Sequence, residues 1–203
     1  MKYNSDLRHR RSIRLKEYDY NQAGAYFVTI CTQGRLCLFG VVAGSEMQLN
    51  EAGRMVEHWW FELNHKFPTV ETDEFIIMPN HLHGIVVITD TIVGADLRVG
   101  PVSEGAHAGA PLRRAHPAPL GAPLPKIIQW FKTMMTNDYI RGVKTASWPS
   151  FDQRLWQRNY YEHIIRDDES LNRIRQYILD NPRRWAFDRE NPEASASEAG
   201  DAW

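Results

Sequence analysis

His81-Leu82-His83 is the arrangement in this chain that most directly suggests chemistry. Two residues apart on a strand, both imidazoles project from one face, and Leu82 turns to the other face to anchor in a core. Two converging imidazoles make part of a metal site, or simply a polar turn; a metal would need a third ligand from elsewhere. Tyr177 and Asn181, four residues apart in an expected helix, share one face beside the apolar stripe of Leu171, Ile174 and Ile178. On the residues alone they read first as a core-edge aromatic and a C-cap before Pro182, and second as a hydroxyl and a carbonyl presented to a phosphate and its metal. Between these lies Trp156-Gln157-Arg158-Asn159-Tyr160-Tyr161-Glu162-His163-Ile164-Ile165-Arg166. Aromatics interleaved with arginine suit a surface that tracks a nucleic-acid strand, and equally a core edge with solvated cations. His163 is an alternative ligand or a structural hydrogen-bonding residue.

The elements that must position these groups follow from pattern. Tyr26 to Thr32, a Gln33-Gly34-Arg35 turn and Leu36 to Phe39 read as a β-hairpin, with Cys31 and Cys37 as buried thiols on its arms. A helix is expected from the N-cap Asn50 through Met55, Trp59, Leu63 and Phe67. Strands are expected at Phe75 to Met78 and His83 to Thr89, divided by Pro79-Asn80. Helical spacing returns from Ile127 to Tyr139, and a last helix runs from Asp168 to Asp180, stopped by Asn181-Pro182. Strands and helices interleave without a βαβα rhythm, which predicts an α+β domain: an antiparallel β-sheet of four or five strands with packed helices.

Length and composition bound the rest. A chain of 203 residues with 43% apolar and 24% charged residues carries one full core, and at this size roughly 70% of the unfolded surface is buried. Two cysteines exclude a disulfide scaffold or multi-cysteine zinc module, and no apolar run approaches a membrane span of about 20 residues. With no secretory signal visible, a soluble cytoplasmic protein is the expectation. The formal charge of −1 hides a strong asymmetry. Residues 1–17 carry +4 and read as a basic N-terminal arm; residues 126–184 carry +4, and 185–203 carry −4. Arginine outnumbers lysine 18 to 6, and its planar fork suits phosphate. Residues 90–124 hold 5 Gly, 5 Pro and 7 Ala with no aromatic, which predicts a flexible insertion. From residue 188 to 203 an acidic disordered tail is expected.

Three blocks together resemble a known family: Met78-Pro79-Asn80-His81-Leu82-His83-Gly84, then Trp156-Gln157-Arg158 with Tyr161-Glu162-His163-x-Ile165-Arg166, then Tyr177-Ile178-x-x-Asn181-Pro182. In order and spacing they resemble the signatures of single-tyrosine HUH transposases, in particular the REP-associated tyrosine transposases. The resemblance spans about residues 18–187, interrupted at 90–124. It implies a ferredoxin-like (HUH/RRM-like) single catalytic domain. It also implies a divalent ion, Mg²⁺ or Mn²⁺, held by His81, His83 and Asn181, and Tyr177 as a nucleophile that joins the 5′-phosphate of single-stranded DNA. The implied substrate is DNA with hairpin-forming palindromic repeats, worked on by a monomer or a homodimer with exchanged tyrosine helices. Arg10, Arg11, Lys126, Lys132, Arg158 and Arg166 are the expected backbone contacts. A silent hairpin-binding protein, or a hydrolase using His81, His83 and His163 with activated water, is the alternative.

Overall fold

The computed structural model describes residues 22–90 and 121–194. Arg10, Arg11 and most of the 90–124 insertion lie outside these residues. A four-stranded antiparallel sheet in the order β4-β5-β1-β6 forms the centre, from β1 (Gly24–Cys31), β4 (Val70–Ile77), β5 (His81–Ile88) and β6 (Tyr161–Ile165). With helices α1 (Glu51–Lys66) and α2 (Leu124–Thr145) as the connections after β1 and β5, this is the β-α-β-β-α-β order of a ferredoxin-like domain. A two-stranded ribbon, β2 (Gly40–Ala43) with β3 (Glu46–Leu49), is inserted between β1 and α1. Helix α3 (Asp168–Arg184) follows β6. Among the described residues no helix is long and apolar enough to cross a membrane.

Alternation along the central strands decides which layer each residue meets. Tyr26, Val28 and Ile30 of β1 and Leu82 and Val86 of β5 join the large core under α1 and α2, with Trp60, Leu63, Phe131 and Met135. Phe27 and Ile85 point to the opposite face, where Ile174 and Ile178 of α3 and Ile165 close a smaller core. Full burial of such side chains stabilises by about 1.5–3 kcal/mol each. Asn50 caps α1 as expected, its side chain accepting from the Gly53 amide at 2.9 Å. Gly84 lets the sheet approach α1, since a Cβ there would sit 2.4 Å from the Trp60 ring.

Five expectations change. Leu36 to Phe39 do not return along β1, because β1 is a central strand whose two edges are taken by β5 and β6; Thr29 faces both His83 and Tyr161. The turn at Gln33–Arg35 instead sends the chain away, and the Leu38 and Phe39 amides donate to the Pro79 carbonyl at 2.8 and 3.0 Å. Cys37 is exposed rather than buried. Helix α3 does not stop at Asn181-Pro182 but continues to Arg184, with both residues buried. The insertion ends sooner than residue 124: Leu124 is fully buried and begins α2, while Ala122 packs against the large core.

The fifth change matters most for function. Residues 188–194 are not a disordered tail, because their polar groups find partners in the domain. The Glu190 carboxylate accepts from Arg35 Nε at 3.0 Å, and its carbonyl accepts from Asn80 Nδ2 at 2.6 Å. Glu190 is 9% exposed. An acidic composition suggested solvation; specific ion pairing and a buried amide override it.

Candidate metal and nucleophile site

Strand β5 brings His81 and His83 to the face that α3 covers, and both are buried. Their Nε2 atoms lie 3.0 Å apart. On the far side of each ring, His81 Nδ1 lies 2.8 Å from Asn80 Oδ1, and His83 Nδ1 lies 2.8 Å from Thr29 Oγ1. Phe27 stacks on the His83 ring at 5.4 Å between centroids, and Trp185 covers His81 at 6.0 Å. The imidazoles are therefore held in orientation on a rigid strand.

Helix α3 supplies the opposing groups. Ile174 and Ile178 seat it on the sheet, and Arg175 reaches across to Asp73 with Nε–Oδ1 at 3.0 Å and Nη2–Oδ2 at 2.5 Å. Asp73 is presented at a register irregularity between Thr72 and Phe75 in the β4–β5 pairing. So anchored, α3 places the Tyr177 hydroxyl 3.3 Å from His83 Nε2. Asn181, one turn on, is 2% exposed, hydrogen-bonds the Tyr177 side chain, and has an Oδ1 with no hydrogen-bond partner. Asp188, just beyond α3, brings its Oδ2 to 3.7 Å from His81 Nε2.

Burial sets the electrostatics. It pushes His81 down to about 4, opposed by Glu190 and aided by Arg189, and pushes His83 well below the usual imidazole value, with His81 and Arg189 adding to it. Both rings are thus neutral near pH 7, the form that ligates. Burial, then the Asp188 charge, raises Tyr177, so its hydroxyl stays protonated. Burial also raises Asp188, opposed by the Glu190 amide and by Arg189.

The donors fit a divalent cation. Ligand atoms of His81, His83 and Asp188 lie within 4.8 Å of one another. The 3.0 Å gap between the two Nε2 atoms is a hydrogen-bond length when one carries a proton, and a chelating edge when a cation replaces that proton. The unpartnered Oδ1 of Asn181 is a buried acceptor of the kind that ordinarily costs about 1–3 kcal/mol if nothing meets it.

His81, His83, Tyr177 and Asn181 are therefore brought together, whereas His163 is exposed on β6, outside the cluster found among the described residues. The basic residues behave differently from one another. Lys126, Arg158 and Arg166 are exposed. Lys132 braces the 157–160 stretch, its Nζ donating to the carbonyls of Gln157 and Asn159 at 2.8 and 3.2 Å, and burial lowers it to about 8. Trp156 is buried against Phe39, while Tyr161 stands 41% exposed at the sheet edge. Sequence reasoning missed Asp188, Asn80 and Thr29. Asn80 had a signal, standing beside His81; Thr29 depends on strand register, and Asp188 on a tertiary anchor.

A solved REP-associated tyrosine transposase, bound to a REP hairpin, has this fold: 85% of this chain matches 74% of that one with a TM-score of 0.52 and 17% identity. A Deinococcus radiodurans structure, described as a candidate transposase, matches less closely at 12% identity and a TM-score of 0.41, over 82% of this chain and 95% of that one. No family model matches the sequence. A Haemophilus influenzae Rd protein of uncharacterised function is 41% identical over 192 residues, 93% of this chain and 96% of that protein. The chain belongs to the family of that protein.

Proposed function

We propose that this protein is a metal-dependent transposase or endonuclease that cuts and rejoins single-stranded DNA through Tyr177. The observation that carries the reading is the Tyr177 hydroxyl 3.3 Å from Nε2 of His83, one of two buried imidazoles whose Nε2 atoms lie 3.0 Å apart. The shared fold with a transposase bound to a REP hairpin supports the substrate class, DNA with hairpin-forming palindromic repeats.

His81, His83 and Asn181 would hold the ion, with Asp188 in reach as a further carboxylate. A bound divalent ion polarises the scissile phosphate and offsets the charge that develops on it. Two imidazole nitrogens favour Mn²⁺ over Mg²⁺, which prefers oxygen ligands and keeps its waters. The chain's own part is to orient. Helix α3 fixes the phenolic oxygen over the histidine face, and Phe27 packs edge-on against the Tyr177 ring at 6.0 Å. Burial, then the Asp188 charge, raises the Tyr177 hydroxyl further above its ordinary value. In the reaction the phenolic oxygen loses its proton and bonds to phosphorus, the bond to the 3′-oxygen breaks, that oxygen takes up a proton to become the 3′-hydroxyl, and the 5′-phosphate stays on Tyr177. The phosphodiester energy is conserved, and a 3′-hydroxyl can reverse the step. Lys126, Arg158 and Arg166 offer phosphate contacts, and Arg10 and Arg11, outside the described residues, are proposed as further contacts from their charge in the sequence alone.

Incubation with hairpin-bearing single strands and Mn²⁺ or Mg²⁺ should give a metal-dependent covalent protein–DNA species on a denaturing gel. Cleavage without such a species would favour the hydrolase reading, and hairpin binding without cleavage the silent binder.

A further inference from the structure

Asn80 is fully buried, and its side chain is saturated by partners from three parts of the chain. Nδ2 donates to the Arg35 carbonyl at 3.1 Å and to the Glu190 carbonyl at 2.6 Å. Both partners can only accept, so these two bonds fix the amide orientation and leave Oδ1 facing His81 Nδ1 at 2.8 Å. An amide oxygen can only accept. His81 must therefore carry its proton on Nδ1, which leaves the Nε2 lone pair directed at His83 Nε2 and Asp188.

We infer that Asn80 is a positioning residue that sets the ligating tautomer of His81 and, through the Glu190 carbonyl, ties the segment carrying Asp188 to that same histidine. The inference rests on the metal reading of His81 and His83 proposed above. The coupling has a physical basis in one rigid amide. Its acceptor end orients the imidazole, and its donor end closes the chain after α3 onto the sheet. The Glu190 amide in turn donates to Asp188 Oδ1 at 2.7 Å, so the anchor also aims the carboxylate. Outer partners of this kind hold ligand orientation, and their loss commonly weakens metal binding by 10–100-fold.

Two variants of the full chain separate the two ends of the amide. Asn80→Ala removes both. Mn²⁺ affinity, read by calorimetry, should fall about 10–100-fold, and nitrogen NMR of the metal-free protein should show His81 as a mixture of tautomers. Asn80→Asp keeps an acceptor for His81 but sets a carboxylate against the Arg35 and Glu190 carbonyls. The His81 tautomer should persist while the amides of residues 188–191 exchange with deuterium faster than in the wild type. Wild-type Mn²⁺ affinity and an unchanged His81 tautomer in Asn80→Ala would overturn the inference, as would unchanged exchange at 188–191 in Asn80→Asp. If the wild type itself takes up no Mn²⁺, the functional reading fails instead. The tautomer and exchange readouts, made without metal, still decide the role of Asn80.

Discussion

The hydroxyl of Tyr177 lies 3.3 Å from Nε2 of His83, although the two residues are 94 positions apart and belong to different layers. Helix α3 and strand β5 meet there because Ile174 and Ile178 on the helix fill the space over Phe27 and Ile85 on the sheet. The apolar stripe seats the helix, and the adjacent stripe of Tyr177 and Asn181 is delivered to the histidines.

Metal should stabilise the fold. At 100 times its Kd, Mn²⁺ stabilises by about 2.7 kcal/mol. For a domain of this size that is a rise in melting temperature of about 5–11 °C. His83→Ala should abolish the rise. Leu82→Ala, on the opposite face in the large core, should cost ~2–5 kcal/mol and keep the rise. Equal metal-induced shifts in wild type and His83→Ala would show that the pair is not the site.

The metal-free protein should lose stability on acidification. His81 folds with its value lowered to about 4, against 6.5 unfolded, so the unfolded chain binds protons first. Its contribution is complete above pH 6.5 and drains away as pH falls toward about 4, and His83 adds in the same direction. Asp188, raised by burial, opposes this at the acidic end. Urea unfolding at pH 7, 6 and 5 should give falling midpoints, and a flat profile in His81→Gln/His83→Gln. A wild-type midpoint that does not move from pH 7 to 5 would contradict the neutral buried pair.

The parts of this architecture carried by local pattern were readable in the sequence. Asn50 as a cap, the periodicity of α1 and α2, and the two-residue spacing of His81 and His83 depend only on near neighbours. The hairpin expected at Tyr26 to Phe39 failed because turn chemistry cannot reveal that β1 will be central with both edges occupied. Asp188 and Glu190 were assigned to a tail because composition is blind to Arg35 and Asn80, which are 155 and 110 positions from Glu190. Thr29 became a partner of His83 through strand register alone.

Packing beneath the histidine strand is tight at Gly84. Gly84→Ala would set a methyl 2.4 Å from Trp60 Cζ2 and 3.2 Å from Phe75 Cβ. Overpacking of this kind costs about 1–3 kcal/mol. Thermal denaturation should show the loss, and Trp60→Phe in the same chain should recover part of it. Strictly additive losses in the double variant would show that the indole is not the obstacle.

Peptide mapping of the covalent species decides whether Tyr177 is the nucleophile. After incubation with a hairpin-bearing single strand and Mn²⁺, nuclease and protease digestion followed by mass spectrometry should place the residual 5′-nucleotide on Tyr177. Tyr177→Phe, which removes one hydroxyl, should keep the fold and hairpin binding while yielding no adduct and no cleavage. An adduct on Tyr160 or Tyr161, or undiminished cleavage by Tyr177→Phe, would contradict the mechanism.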